Sequence, residues 1–368
     1  MKQALLFGVI LALVGALMGA IYWKAERADA VGKDGKPIIK IGILAALTGD
    51  FADIGNAIVP GIKIFEEQLK KKDTRYQYQF IVEDNQFKAH RSITIVQKLI
   101  HLDHVRAIVS LGTWVNNAIT PLAEQYKVIH MGSGGFAPDI IKSYSFGIYM
   151  DREKLASKMV DELNKRDIKK VAVIYLDTSG LSETVGFLKD KITKSGTMRL
   201  TTFEAIGTTQ RNFGMTVAKV LKEKPDIVVV QLLQPELEIF TRQLLRQNPQ
   251  QKITCVEAFS YPDDKSLFEG QWFINNAPPS AEYIRRFQEK TGRNATQFSE
   301  FVYAALEMLV AGYEKFGPDN AAVRAYLMSE KFDDTVIGPV YFDAVRSSQY
   351  NDAVVQKIQN GKIITVKE

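Results

Sequence analysis

A short apolar segment, a helical stretch and a second apolar segment follow one another within residues 107–135. This order restricts the fold more than any other feature of the chain. Residues 107–111 and 128–131 are too short for helices and are almost wholly apolar, as strands buried on both faces of a parallel sheet are. Between them, apolar residues recur at helical spacing: Ile119, Leu122, Ala123 and Tyr126. We predict a strand–helix–strand unit, with Pro121 in the first turn of its helix.

The same alternation of strands and helices extends along most of the chain. It begins at residue 38, changes to a connecting strand at residues 144–151, and restarts over residues 154–257 as a second set of similar size. A chain of 368 residues is long enough for two domains, and a hydrophobic content of 46% is enough for two cores. We therefore predict an α/β fold with two doubly wound parallel-sheet lobes and a cleft between them.

An apolar N-terminal segment precedes the predicted lobes. Residues 4–23 are apolar without interruption and follow Lys2, and the small-x-small sequence at 28–30 fits a cleavage site. The segment is also long enough to cross a bilayer as a helix. We predict that residues 1–30 form a signal peptide or a retained membrane anchor, and that residues 31–37 form a polar linker. Both alternatives place the rest of the chain outside the cytoplasm.

Charge and composition argue against several classes of function. The net charge is +5, but basic and acidic residues are interspersed, so we expect no nucleic-acid partner. Cys255 is the only cysteine and the four histidines are scattered, so we expect no metal and no other cofactor. The sequence contains no GxSxG, HExxH, GxxxxGK or GxGxxG motif, and we predict that the protein is not an enzyme.

Small and polar residues follow both strands of the strand–helix–strand unit. The sequence Gly112-Thr113-Trp114 follows the first strand, and Gly132-Ser133-Gly134-Gly135 follows the second. Ligands of open parallel sheets lie just beyond the carboxyl ends of the strands. Bare backbone N–H groups and hydroxyls near helix N-termini bind anions. The sequence therefore predicts an anion site at this edge.

Several short motifs, in this order, resemble those of a known family. They are IKIGILAALTGDFADIGN at 39–56, VSLGTWVNN at 109–117, VIHMGSGG at 128–135, the crossover segment 146–151 and GPVYFD at 338–343. Together they resemble the type I periplasmic solute-binding proteins, in particular the branched-chain amino acid group of ABC importers. The resemblance extends from residue 38 to the C-terminus.

This resemblance implies two lobes joined by a three-strand hinge. The first lobe would comprise residues 38–150 and 278–336, and the second residues 151–277 and 337–368. It implies periplasmic capture of a small polar ligand, an amino acid or a related compound, in the cleft, followed by docking on an ABC transporter permease. An alternative is a membrane-tethered periplasmic sensor or scaffold that uses the same fold without transport.

The resemblance also implies the residues that bind the ligand. A ligand carboxylate would be held at two strand ends of the first lobe, by residues matching the family positions: Thr113, Trp114, Ser133, Gly134 and Gly135. A ligand ammonium would be held by Glu257 of the second lobe. The other interpretation of Glu257 is a solvated residue at a strand end.

Three positions depart from the pattern of that family, which commonly carries aromatic residues there. Ile54, Gly180 and Leu233 stand at these positions, which implies a different and wider side-chain pocket. Trp114 and Phe136 are aromatic residues near the strand ends and are candidates for a stacking wall. Packing beneath the hinge is the alternative role for these two residues.

Overall fold

The computed structural model describes residues 31–367, except 33, 50, 138, 150, 263, 294, 296, 344–347 and 350–352. The predicted signal peptide or anchor at 1–30 lies outside the described residues. Within the described part, none of the helices combines the length and apolar character that a membrane span requires.

The first lobe is built on a five-stranded parallel sheet. Its strands, in chain order, are β1 (Ile38–Ala45), β2 (Gln77–Asp84), β3 (Ala107–Leu111), β4 (Ile129–Ser133) and β5 (Ser145–Ile148), and their spatial order is β2-β1-β3-β4-β5. Three helices connect them: α1 (Ala52–Leu69), α2 (Ala89–His101) and α3 (Thr113–Tyr126). β3 and β4 are buried at every residue, as the apolar pattern predicts.

The second lobe repeats this arrangement with a four-stranded parallel sheet of order β7-β6-β8-β9. Its strands are β6 (Lys170–Leu176), β7 (Arg199–Ile206), β8 (Ile227–Gln231) and β9 (Ile253–Thr254). Its helices are α4 (Arg152–Lys165), α5 (Ser179–Ser195), α6 (Gly214–Lys222) and α7 (Glu236–Gln247). The predicted α/β architecture of two parallel-sheet lobes is confirmed.

Both faces of the second sheet are covered, which explains its uninterrupted apolar strands. Val171 and Val173 of β6 pack in one core with Val185 of α5, and Ala172 and Ile174 pack in another with Leu237 of α7. Alternate residues of a strand point to opposite faces, so a strand buried on both faces needs apolar residues at every position.

An antiparallel sheet extends the second lobe and contains the C-terminal hairpin. It is formed by β10 (Trp272–Asn276), β14 (Ala353–Gln359) and β15 (Lys362–Thr365). Asn360 and Gly361 connect β14 to β15 with φ angles of 53° and 68°. A type I′ turn requires two positive φ angles, and the sequence pair Asn-Gly predicts such a turn, so the hairpin that this pair indicates is confirmed.

The remaining elements pack on the first lobe. They are the helices α8 (Ala281–Thr291), α9 (Gln297–Phe316) and α10 (Asn320–Ser329), and the strands β11 (Phe332–Thr335), β12 (Gly338–Phe342) and β13 (Ser348–Gln349). The ring of Phe342 in β12 lies 5.0 Å from that of Phe146 in β5. The chain therefore passes between the lobes three times: after β5, between β10 and α8, and between β12 and β14. The lobe boundaries given above stay a prediction.

The helix of the strand–helix–strand unit begins earlier than predicted. We expected Pro121 in its first turn, but α3 begins at Thr113 and contains Pro121 in its interior. Gly112, with φ of 86°, turns the chain directly from β3 into the helix. Proline inside a helix removes one hydrogen bond, but Ile119 and Ala123 are fully buried and hold α3 on the sheet. Thr113 and Trp114 consequently lie in the first turn of a helix rather than in a loop.

Gly55 allows α1 to approach the end of β1, and its replacement tests this packing. A Cβ at position 55 would lie 2.6 Å from the backbone N of Ala46 and closer still to its carbonyl group. We expect Gly55→Ala to reduce the free energy of unfolding by about 3 kcal/mol, because backbone atoms cannot give way as a side chain can. Thermal denaturation followed by circular dichroism measures the loss.

The matched control is Gly186→Ala in α5. A Cβ at position 186 meets nothing within 4 Å. Alanine also favours a helix by about 0.5–1 kcal/mol relative to glycine, so this variant should be at least as stable as the parent protein. Equal melting temperatures for Gly55→Ala and Gly186→Ala would contradict the close packing of α1 on β1.

Candidate functional site

The carboxyl ends of β3 and β4 meet in two glycine turns that touch each other. Gly112 and Gly134 have φ angles of 86° and 92°, and a Cβ on Gly134 would lie only 3.2 Å from the Cα of Gly112. The hydroxyl of Thr113 donates to the carbonyl of Gly134 over 2.6 Å. The two predicted halves of the anion site are therefore held side by side.

Asn116 fixes the second turn from beneath. Its buried amide donates to the carbonyls of Ser133 (3.0 Å) and Gly135 (2.7 Å), and its Oδ1 accepts the hydroxyl of Ser110 (2.6 Å). A buried amide with all these partners satisfied holds the loop in one conformation. The turn after β4 is thus a preformed part of the fold.

An open cleft of about 470 Å³, counted together with the solvent space at its mouth, lies between this edge and the second lobe and forms the first cavity of the site. Six of the predicted site residues line it: Ile54, Thr113, Trp114, Gly134, Gly180 and Leu233. The first four belong to the first lobe, and the last two to α5 and to the segment after β8. The structure therefore brings these six residues together from both lobes.

The other predicted site residues do not line this cavity. The hydroxyl of Ser133 is buried and has no hydrogen-bond partner in the described part of the chain. A Cβ on Gly135 would lie 3.0 Å from Nη1 of Arg152. The ring of Phe136 is buried and lies 5.2 Å from that of His130, which agrees with packing rather than with a wall of the cavity.

Glu257 lies behind two tyrosines. Its Oε2 accepts the hydroxyls of Tyr149 (2.5 Å) and Tyr261 (2.9 Å), and its side chain is 2% exposed. Burial raises the pKa of Glu257, opposed by these two hydrogen bonds. Both tyrosines line the cavity, whereas Glu257 does not. It is not a solvated residue at a strand end, and its predicted contact with an ammonium stays a prediction.

The backbone at Glu257 is strained. Its φ and ψ are 67° and −37°, and Ala258 N donates to Val256 O over 2.8 Å, which closes a three-residue γ-turn around it. The N–H of Glu257 is fixed in turn by the carbonyl of Ile274, 2.8 Å away in β10. Such strain persists only where the surroundings determine the conformation, and it is concentrated at functional sites.

Arg152, the first residue of α4, is not among the site residues predicted from the sequence. Its Nη1 lies 2.7 Å from Oε2 of Glu183 in α5. Its Nη2 donates to Thr113 Oγ1 over 3.1 Å and to the carbonyl of Gly134. The side chain is 10% exposed and joins the second lobe to the predicted anion site of the first. Its position directly after the crossover segment 146–151 is the feature of the sequence from which Arg152 could have been predicted as a site residue.

Aromatic residues complete the walls of the cavity. Phe87, from the loop after β2, lies 4.5 Å from Trp114 in a nearly perpendicular arrangement, and its carbonyl accepts the indole N–H over 2.8 Å. Tyr261 of the second lobe stacks on Phe298 of α9, with ring centroids 5.8 Å apart. Phe87 follows a strand that ends at the same edge of the sheet, and this position could have predicted it as a site residue.

A second cavity, of about 750 Å³ with the open space at its mouth included, shares Ile54, Tyr261 and Phe298 with the first. It differs in charge, because its walls also carry ionisable residues: Asp53, Glu238, Arg242, Asp264 and Arg293. Burial raises the pKa of Glu238, and the nearby Asp53 carboxylate acts in the same direction. The cleft therefore has an apolar compartment that contains Arg152 and a charged compartment beside it.

Among the residues that the structure describes, no group of three histidine, cysteine or carboxylate residues is placed to hold a metal ion. Ser110 and His130 are 2.7 Å apart, but both are fully buried and neither lines the cavity. Burial lowers the pKa of His130 to about 3, so its ring is neutral at physiological pH.

Comparisons with known proteins agree with this architecture. A family model described as "Periplasmic binding protein" matches residues 38–362. The chain is 23% identical over 367 residues to "Leu/Ile/Val-binding protein homolog 2" of Brucella abortus, covering 94% of this chain and 93% of the relative. It is also 23% identical over 348 residues to "Leu/Ile/Val-binding protein BraC3" of Rhizobium johnstonii, covering 89% and 94%.

Two solved structures show the same fold. The leucine binding protein LivK of Thermotoga maritima superposes with a TM-score of 0.79 at 18% identity, covering 89% of this chain and 98% of that one. A solute binding protein of an ABC transporter from R. palustris, in complex with benzoate, superposes with a TM-score of 0.79 at 16% identity, covering 89% and 95%.

Substitutions of Glu257 test whether its buried carboxyl supports the site as a hydrogen-bond acceptor for Tyr149 and Tyr261. Glu257→Gln keeps an oxygen that accepts both tyrosine hydroxyls, so its melting temperature should stay within about 2 °C of the parent protein. Glu257→Ala leaves the hydroxyls of Tyr149 and Tyr261 buried without their acceptor and should cost about 2 kcal/mol or more. Thermal unfolding of the ligand-free variants measures both. Equal destabilisation by Gln and Ala would show that the charge of Glu257, and not its role as acceptor, supports the site.

Proposed function

The chain belongs to the periplasmic binding protein family, in the type I branched-chain amino acid group of ABC transporters, and we propose that it captures a small carboxylate-bearing solute between its lobes. The solute is an amino acid or a related organic acid. The loaded protein delivers it to the permease of an ABC importer at the periplasmic face of the membrane. Members of this family are solute-binding proteins rather than enzymes.

The proposal is carried by one observation: residues of both lobes line the same cavity. Thr113 and Gly134 lie on the first lobe, and Gly180 and Leu233 face them from the second. A solute that touches both sides makes its full set of contacts only when the lobes are closed. Its binding free energy therefore shifts the population toward the closed form. The permease of the importer binds that closed form.

The relatives support a carboxylate as the shared group of the ligand. Curated relatives carry the name Leu/Ile/Val-binding protein, and solved neighbours are a leucine binding protein and proteins in complex with benzoate or 4-hydroxybenzoate. Leucine and benzoate share an apolar body and a carboxylate but differ in the ammonium group. We propose that Thr113, Trp114 and Gly134 contact this shared part of the solute, with Ser133 and Gly135 supporting the turn.

The N-terminal segment decides how the protein is retained. We propose that it works in the periplasm, either free after cleavage at 28–30 or anchored by residues 4–23. Both forms place the lobes on the same side of the membrane as the mouth of an importer.

Closure around a solute is tested with Gly180→Leu. A Cβ on Gly180 already meets Thr113 Oγ1 at 3.0 Å and Arg152 Nη2 at 3.2 Å, so a leucine there should hold the lobes apart. The protein is purified after expression of the full-length sequence and titrated calorimetrically with amino acids, amides and small carboxylates. We expect at least one carboxylate to bind and to reduce the radius of gyration in small-angle scattering. Gly180→Leu should weaken that binding about tenfold or more.

Gly186→Leu is the matched control, because it adds the same side chain to the same helix where nothing lies within 4 Å of the new Cβ. Its affinity and its scattering should equal those of the parent protein. Binding without compaction, or equal affinity in the Gly180 and Gly186 variants, would contradict capture between the lobes.

A further inference from the structure

We propose that Arg152 binds the carboxylate of the ligand, and that this ligand is an apolar monocarboxylate without an α-ammonium group. The inference rests on the proposed function and narrows its ligand class. It departs from the neutral carboxylate cradle and the acidic ammonium site expected from the sequence.

The charge of the apolar compartment comes from Arg152. Among the described residues that line this cavity, Arg152 is the one with an ionised side chain at neutral pH, and it is a cation. Its partner Glu183, 27% exposed, does not line the cavity, so this carboxylate balances part of the charge of Arg152 from outside the compartment. A ligand in the cavity therefore meets the guanidinium and not the acid, and this favours an anion.

The present partners of the guanidinium leave it suited to a carboxylate. Nη2 donates to Thr113 Oγ1 and to Gly134 O, which are both neutral acceptors. The hydroxyl proton of Thr113 is itself directed to Gly134 O. Charge-assisted hydrogen bonds are roughly twice as strong as neutral ones, and the planar fork of arginine matches the two oxygens of a carboxylate. A ligand carboxylate would thus replace weaker partners of Arg152, while Glu183 holds the other side of the fork.

An α-ammonium would have no acidic partner in the same compartment. The ammonium of an amino acid is bonded to the carbon next to the carboxylate, so both groups must enter the same cavity. Glu257 is separated from that cavity by Tyr149 and Tyr261, which both donate to its Oε2. Neutral hydroxyls and aromatic rings would offset only part of the desolvation cost of that cation, because no carboxylate among the described residues lines the cavity to pair with it.

The acids of the neighbouring compartment do not change this conclusion. Asp53, Glu238 and Asp264 line the second cavity and not the one that contains Arg152. Ile54 and Tyr261 form part of the wall that both cavities share. These acids would therefore meet another part of a long solute rather than a group on the carbon next to its carboxylate.

The rest of the compartment is suited to an apolar body. Phe87, Trp114, Leu181 and Leu233 all line it. The orientation of Trp114 is fixed by the hydrogen bond from its indole N–H to Phe87 O, so its ring is a rigid surface. An aromatic or branched aliphatic side chain is the group that such walls recognise.

Matched pairs of probes separate the contribution of each charge. 4-Methylpentanoate and L-leucine differ only by the ammonium, as do 3-phenylpropanoate and L-phenylalanine. 3-Phenylpropanamide replaces the carboxylate by a neutral group of the same shape. We expect calorimetry on the protein expressed from its full-length sequence to show that each carboxylate binds at least tenfold tighter than its amino-acid partner and than the amide.

Variants of Arg152 then assign the carboxylate. Arg152→Gln should weaken binding of 3-phenylpropanoate at least tenfold and leave the amide nearly unchanged, so the preference for carboxylate over amide collapses. A purely structural role of Arg152 would weaken both probes equally. Arg152→Lys keeps the charge without the fork and should retain part of the preference. Lys154→Gln removes an exposed cation two residues further along α4 and is the control, for which we expect no change.

Two results would overturn the inference while leaving the proposed function intact. One is tighter binding of L-leucine or L-phenylalanine than of the matched carboxylates, with that binding lost in Glu257→Gln. The other is an unchanged preference for carboxylate over amide in Arg152→Gln. If none of the probes, and none of the amino acids, amides and carboxylates of the wider panel, binds or compacts the protein, the proposed function fails and the inference fails with it.

Discussion

The cleft depends on the contact that Arg152 makes with the carboxyl edge of the first sheet. Its guanidinium donates hydrogen bonds to Thr113 and Gly134 of the first lobe, and it forms an ion pair with Glu183 of the second lobe. The contact is possible because the turns after β3 and β4 touch, which Gly112 and Gly134 allow through their positive φ angles. The parallel topology brings those turns to one edge, and the arginine connects that edge to the second lobe.

Arg152 and Glu257 differ in whether they line the cavity. Arg152 carries its charge at the cavity wall, with neutral acceptors around part of it. Glu257 is shielded by two tyrosine hydroxyls, and burial raises its pKa. Both hydroxyls donate to Oε2 and hold the carboxyl in place behind the wall of the cavity. The cation that lines this compartment is therefore supplied by the first residue of α4 and not by the strand ends of the first lobe, which is the basis of the anion site that we propose.

Much of the fold could be predicted because its signals are local. Continuous apolar segments indicated buried strands, and Asn360-Gly361 indicated a hairpin that the structure confirms. The start of α3 was wrong by about two turns, since Pro121 suggested a first turn and the packing of Ile119 and Ala123 outweighs the missing hydrogen bond. A local sequence pattern shows the hydrogen bond that a proline removes from a helix. It does not show how much the burial of the helix compensates for that loss, because the burial arises only when the helix packs on the folded sheet.

The candidate site could be predicted only in part, for a related reason. Strand ends are visible in a sequence, so Thr113 and Gly134 could be predicted at this edge of the sheet, and both line the cavity. The surroundings of Glu257 were not visible, because Tyr149 lies 108 positions away in the chain. Tyr149 and Arg152 stand on the same first connection between the lobes, one touching the acid and the other the opposite edge. A rotation that separated the lobes at that connection would therefore disturb both contacts together. Opening would then change the groups that a solute meets, because the guanidinium would leave the carboxyl edge of the first sheet at the same time as the tyrosine shifted against the acid.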